Sequence, residues 1–395
     1  VTCDDLVLSV DGARVVHRER ACHLANDYFD QLAAATGLGP TLQGQECSLD
    51  QACAALANWV AEAEMPLMAG LGELSCEAIK LAIELADRHG MVIDATATPA
   101  DRWGALSLQT VGSVTATWGE VAQRAQVVVY WAIDPDTTHP RLAERYTELP
   151  ARLSPHSTRP PRYVVVVDDR DNATAPRADC HMHIAAGAHY ASLAVLRALA
   201  AGLPLDAARV LQSTGVELAK WTTLSEQLAA SDYGAVVYGK RLLDDGPHAL
   251  SALTRLVTSL TANARWVAIA GGAAGNTTGA INLLTSQTGF PLAVDLTQGV
   301  PRYCPGEYDY CTQQQQRECD LVLHFSGVPV GLVARRQVGG QTQHLHIPLA
   351  QVGWDTAGTT YRSDGVALPR RPLVRTERLT AEAVLAAIAA KLASH

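Results

Sequence analysis

The chain has 395 residues, enough for two or three domains and for a large apolar core without disulfide staples. Hydrophobic residues make up 48% and charged residues 18%, ordinary for a globular protein. A net charge of −9, with no cluster of Lys and Arg, argues against nucleic acid as a partner, and no apolar run reaches the roughly 18 residues of a membrane helix.

The N-terminal run Val1–Asp5 lacks the charged and apolar regions of a signal peptide, so the cytoplasm is the expected location. The nine cysteines are scattered, at positions 3, 22, 47, 53, 76, 180, 304, 311 and 319, with no C-x-x-C. This spacing predicts reduced, structural thiols rather than a disulfide framework.

The first predicted elements form a hairpin: Leu6–Val10, a turn at Asp11-Gly12, and a partner strand over Ala13–His17. A helix follows near Cys22–Ala35, then a Gly- and Pro-containing stretch, Gly37–Gln45, that reads as a linker. Ser48-Leu49-Asp50-Gln51 has the capping-box pattern and predicts a helix start. From there strands and helices alternate. Strands are predicted at Pro66–Gly70, Met91–Asp94, Gln126–Ile133 and Arg162–Asp168, with a helix at Leu74–His89 that Gly90 closes.

The helix Ala188–Ala201 follows. The same alternation resumes with the strand Tyr233–Tyr238, the helix His248–Ala264, the strand Trp266–Ala270, a glycine-rich turn over Gly271–Gly275 and a helix at Thr278–Thr288. Strands near Leu321–Phe325 and His344–Pro348 and an amphipathic helix, Thr380–Leu392, complete the chain. Near-continuous apolar strands alternating with helices predict an α/β protein with mostly parallel, doubly wound sheets, whose crevices lie at the carboxyl ends of the strands.

Few motifs point to chemistry. Gly271–Gly275 with Gly279 fits neither the P-loop nor the dinucleotide fingerprint, so a tight turn explains it better than a phosphate cradle. In Cys180-His181-Met182-His183, strand geometry puts the two histidines on one face; two donors fall short of the three or four of a zinc site, and a strand with surface histidines is the favoured reading. Cys304, Cys311 and Cys319 lack metal-ligand spacing, and Gln313–Gln316 reads as a solvated helix face. Asp101-Arg102 and His139-Pro140-Arg141 follow strands, where active sites form, although ion pairs explain them equally well.

Several segments together resemble the B subunit of formylmethanofuran dehydrogenase, collinearly over nearly the whole chain: Gly70–Gly112, Ala125–Arg141, Tyr163–Ile184, Gly289–Glu307 and Gly358–Val366. That family belongs to the tungsten or molybdenum bis-pterin oxidoreductases. The resemblance implies two α/β domains, one formed by 46–94 and 222–395, the other nested as 95–221, and an N-terminal module, 1–45, left over from a [4Fe–4S] module. It also implies a metal-ligating Cys or selenocysteine followed by His after the Met91–Asp94 strand. Here those positions are Ala100 and Asp101, and only Cys3 and Cys22 remain of the cluster cysteines. Alanine has no donor atom, carboxylate is a hard ligand, and a [4Fe–4S] cluster needs four thiolates.

The losses resemble the B subunit of the formyltransferase/hydrolase complex of methylotrophic bacteria. This resemblance implies a degenerate, non-redox subunit of one-carbon metabolism with no catalytic residue, metal or cofactor of its own. Arg102, His139, Arg141 and Gly275 would line a vestigial crevice. The implied partners are an amidohydrolase-like hydrolase subunit, a formyltransferase subunit and a further subunit, acting on tetrahydromethanopterin and a methanofuran-type carrier. Two alternatives stand beside it: an active pterin-dependent subunit, and a module that binds the carrier in the vacated crevice.

Overall fold

A computed structural model describes residues 5–394, apart from 13, 35–38, 97, 148–161, 245, 263 and 273–274. The described chain divides into two units, one built on Trp103–Gly272 and the other on Asp5–Arg102 with the residues that follow Gly272. The fold is α/β in both.

The nested unit is built on a five-stranded sheet in the order Arg265–Ala270, Tyr233–Tyr238, Val127–Trp131, Tyr163–Asp168, Cys180–His183, and every pair is parallel. The central strands are buried on both faces, which is why Val127–Trp131 and Tyr163–Asp168 are runs of valine rather than alternating patterns. Trp118, Tyr130, Tyr146 and Val237 pack into one core cluster. The resemblance ended this unit at residue 221. It runs to 272, because Tyr233–Tyr238 hydrogen-bonds along Val127–Trp131 and carries Arg265–Ala270 with it.

The other unit holds a nine-stranded sheet. Its centre is parallel: Val92–Ile93 beside Pro66–Ala69 beside Leu321–Ser326. Its flanks are antiparallel, through the long hairpin Gly331–Val338/Gln341–Pro348 on one side and Val294–Asp295 with Arg302–Tyr303 on the other. The sheet is therefore mixed, not mostly parallel as expected. Tight hairpins such as Val338-Gly339-Gly340-Gln341 connect antiparallel neighbours, whereas parallel ones need a crossover. Helices Leu49–Glu62, Cys76–Arg88 and Ala381–Leu392 bury their apolar faces in this unit's core.

Local signals behave as their chemistry requires. Ser48 caps the helix Leu49–Glu62, with its hydroxyl accepting from the Gln51 amide at 3.2 Å and the Gln51 side chain accepting from the Ser48 amide at 2.9 Å. Gly90 closes the helix Cys76–Arg88 at φ 58°. The expected linker 37–45 is partly a strand pair: Thr41–Leu42 hydrogen-bonds to Leu345 and His346 and to Gln45–Glu46 at the sheet edge. The opening hairpin pairs Val7–Asp11 with Arg14–Glu19, a turn one residue later than expected. The segment 1–45 was expected as a module of its own; its described residues join the larger unit, since Phe29 and Leu32 pack against Trp354 and Val374.

Candidate functional site

In the larger unit, the strand Val92–Ile93 ends at Asp94, whose side chain is fully buried. Its carboxylate accepts from the amides of Thr96 (3.1 Å), Ala293 (3.2 Å) and Tyr310 (2.8 Å) and from the Thr96 hydroxyl at 3.0 Å. Burial pushes its pKa up to about 6, although these donors pull the other way. One acid thus ties three segments to the end of the strand: the loop after it, residue 293 and the start of the helix Tyr310–Gln316. Ala293 is held at φ 49°, a conformation that costs a non-glycine residue energy and persists because Asp94 and the Cys304 amide fix its backbone.

The loop positions of Ala100 and Asp101 lie in the first turn of the helix Pro99–Val111. Proline suits the first helical position, and an acid suits the first turn because the helix dipole is positive there. The Asp101 carboxylate accepts from the Thr98 hydroxyl at 2.5 Å, and the Asp101 amide bonds back to Thr98. Arg102 reaches Asp309 at 3.0 Å and the Thr312 hydroxyl at 3.2 Å. Asp309 is nearly buried and also caps the helix Tyr310–Gln316 through the Thr312 amide at 3.0 Å. Burial raises the Asp309 pKa, but the Thr312 amide, Arg102 and the Gly306 amide outweigh it, and the net shift is downward.

Cys311 stands close enough to this group to feel Asp309, Asp94, Arg102 and Asp101. Burial and the surrounding carboxylates push its thiol pKa up, which disfavours the thiolate that a metal would need. Gly275, in the same unit, is held at φ 57° with its α-carbon against the Gly72 carbonyl; a β-carbon there would sit 2.2 Å from that oxygen. The neighbouring Asn276 side chain donates to the Leu74 carbonyl at 2.9 Å and accepts from the Tyr361 amide at 2.7 Å. The close approach of two backbones is what requires glycine at this position.

His139 and Arg141 belong to the nested unit, so the four crevice candidates divide two and two. Arg141 pairs with Glu144 at 2.6 Å. The His139 ring rests on Gly272, where a β-carbon would meet its Nε2 at 2.4 Å, and burial lowers its pKa.

The nested unit has a larger polar cluster that the sequence motifs do not single out. Asp168, fully buried at the end of its strand, takes both Arg241 nitrogens at 2.8 and 2.6 Å and the Asn172 amide nitrogen at 2.8 Å. Asn172 also donates to the Ile133 carbonyl at 2.8 Å. Asp169 lies 3.3 Å from His189 Nε2 and 3.6 Å from Arg241. The Trp131 indole donates to His189 Nδ1 at 3.3 Å, so the imidazole carries its proton on Nε2, toward Asp169. Burial lowers the His189 pKa despite the two acids.

This arrangement joins the carboxyl ends of three parallel strands. Its members engage one another through these bonds and ion pairs. The sequence did carry a signal for it: two acids directly after four valines, at the end of a parallel strand, where polar sites gather.

No protein-family model matches the chain. It aligns with the B subunit of a tungsten-containing formylmethanofuran dehydrogenase 2 from Methanocaldococcus jannaschii at 28% identity, over 94% of this chain and 91% of that protein. The corresponding B subunit from Methanococcus maripaludis is 26% identical over the same shares. The chain is similar to the B subunit of formylmethanofuran dehydrogenase along nearly its whole length. A chain of the formyltransferase/hydrolase complex (FhcABCD) from Methylorubrum extorquens, solved with methylofuran, superposes with a TM-score of 0.74 at 20% identity, over 90% of this chain and 99% of that one. That likeness bears out the α/β fold.

The donors of this chain do not fit the tungsten named for those dehydrogenases, nor molybdenum. At the positions where the sequence resemblance places the ligands stand an alanine and a carboxylate engaged by Thr98, and the nearby thiol is held toward its protonated form. Among the described residues, no group of three or more His, Cys, Asp or Glu side chains is placed to hold a metal. Cys3, one of the two remaining cluster cysteines, lies outside the described residues. No helix among the described residues is long and apolar enough to cross a membrane.

Proposed function

We propose that this chain is a non-redox, structural subunit of a formyltransferase/hydrolase complex. In such a complex a formyl group passes from formyl-tetrahydromethanopterin to a methanofuran-type carrier and is released as formate. Neither step changes the oxidation state of carbon, so a subunit in it has no electron to move and no use for a metal–pterin centre. The partners proposed are an amidohydrolase-like subunit, a formyltransferase subunit and a further subunit.

One observation carries the reading. The segment that should present a metal ligand is instead the first turn of a helix, with Ala100 lacking a donor and Asp101 and Arg102 engaged by Thr98 and Asp309. The likeness in fold to a chain of FhcABCD supports it as well. The alternative of an active pterin enzyme would need a soft ligand at this loop, and the carrier-binding alternative would need Arg141, which Glu144 engages.

The test is elemental analysis of the natively purified protein, with mass identification of its co-purifying chains. The reading expects tungsten, molybdenum and iron well below one atom per chain, and co-purification with the hydrolase and transferase subunits. Stoichiometric tungsten or molybdenum would overturn it.

A further inference from the structure

The strand Cys180–His183 forms one edge of the five-stranded parallel sheet and, among the described residues, pairs only with Tyr163–Asp168. Along a strand, alternate side chains share a face. Met182 points inward and is buried, while His181 and His183 both stand exposed on the other face. Their ring centroids are 6.0 Å apart, with the rings 70° from coplanar. No hydrogen bond or ion pair engages either ring among the described residues, so both imidazoles are available as donors.

We propose that His181 and His183 form a bidentate site for a divalent transition metal of the copper, nickel and zinc class. The geometry is close to what chelation asks. A metal about 2.0 Å from one nitrogen of each ring, at a near-tetrahedral angle, puts the ring centroids roughly 5 Å apart. The observed 6.0 Å separation is about 1 Å wider than that, a difference that rotation of two exposed side chains about their χ angles would take up. The pleat supplies the rest: residues two apart on a strand are held on one side at a fixed spacing, so the cost of bringing two ligands together is met by the sheet itself.

The ring chemistry agrees. Imidazole favours copper, nickel and zinc over magnesium and calcium, which want oxygen donors. With no third protein donor among the described residues, the remaining coordination positions fall to water, and the ion exchanges freely.

The test is calorimetric titration of the full chain, stripped of metal, with Ni²⁺ at pH 7.5. The proposal expects one equivalent bound, and His181→Gln or His183→Gln to weaken binding at least about tenfold by removing one arm of the chelate. His344→Gln, which changes an exposed histidine on a different strand, should leave the affinity unchanged, and Mg²⁺ should give no heat. Both substituted side chains are exposed, so the variants should fold, and an unchanged circular dichroism spectrum checks this. The proposal is overturned if either variant binds Ni²⁺ within about twofold of the parent, or if the parent shows no binding below roughly 1 mM.

Discussion

Replacing Arg241 by Leu should destabilise the nested unit by about 3 kcal/mol, because it strips a fully buried carboxylate of its counter-charge. Asp168 is wholly inaccessible, and Arg241 is a quarter exposed, which tempers the electrostatic gain of the pair but not the cost of leaving the acid alone. Loss of one partner of a buried pair typically costs about 3–5 kcal/mol. Here the lower end applies, since the Asn172 side chain at 2.8 Å and the Asp169 amide at 2.9 Å would still bond to the carboxylate. Removing both charges, in Asp168→Asn with Arg241→Leu, should recover at least about 1 kcal/mol of the loss, because no uncompensated ion remains. Urea unfolding followed by tryptophan fluorescence reports on this unit through Trp131, whose indole bonds to His189 beside the cluster. A single-variant loss under about 1 kcal/mol, or a double variant no better than the single, would refute the claim that the pair secures the strand ends.

Two further outcomes are expected. The Asp94 pKa, pushed up to about 6 from 3.8, makes folding favour the protonated acid, so its contribution to stability is full below pH 3.8 and is lost as pH rises through 6. Wild type should therefore lose stability relative to Asp94→Asn between pH 4 and pH 7, by an amount of order 2 kcal/mol, in paired urea titrations; a gap that is flat with pH would contradict the burial argument. Gly70→Ala should cost far more than Gly289→Ala in the same assay. Both glycines have positive φ, but a β-carbon at 70 would lie 2.1 Å from the Phe325 carbonyl oxygen, whereas at 289 nothing lies within 4 Å. The second variant should then show only the left-handed backbone penalty of about 1 kcal/mol.

The sequence by itself determined the elements and carried the resemblance. Valine runs in Val127–Trp131 and Tyr163–Asp168 mark strands buried on both faces, Ser48 and Gln51 fix a helix start, and Gly90 fixes an end; each depends on residues only a few positions apart, which is why each is legible in a linear reading. The collinear segments carried the similarity to the B subunit of formylmethanofuran dehydrogenase, and with it the expectation drawn at Ala100 and Asp101. Only the tertiary structure decided which sheet a strand enters, and so moved the end of the nested unit from 221 to 272. Only the tertiary structure gave Arg102 to Asp309, 207 residues away, and Arg241 to Asp168, 73 residues away. The physical reason is range. Propensity and capping act through neighbouring bonds, whereas strand order and buried ion pairs are settled by which distant surfaces exclude water together, and no local pattern encodes that partner.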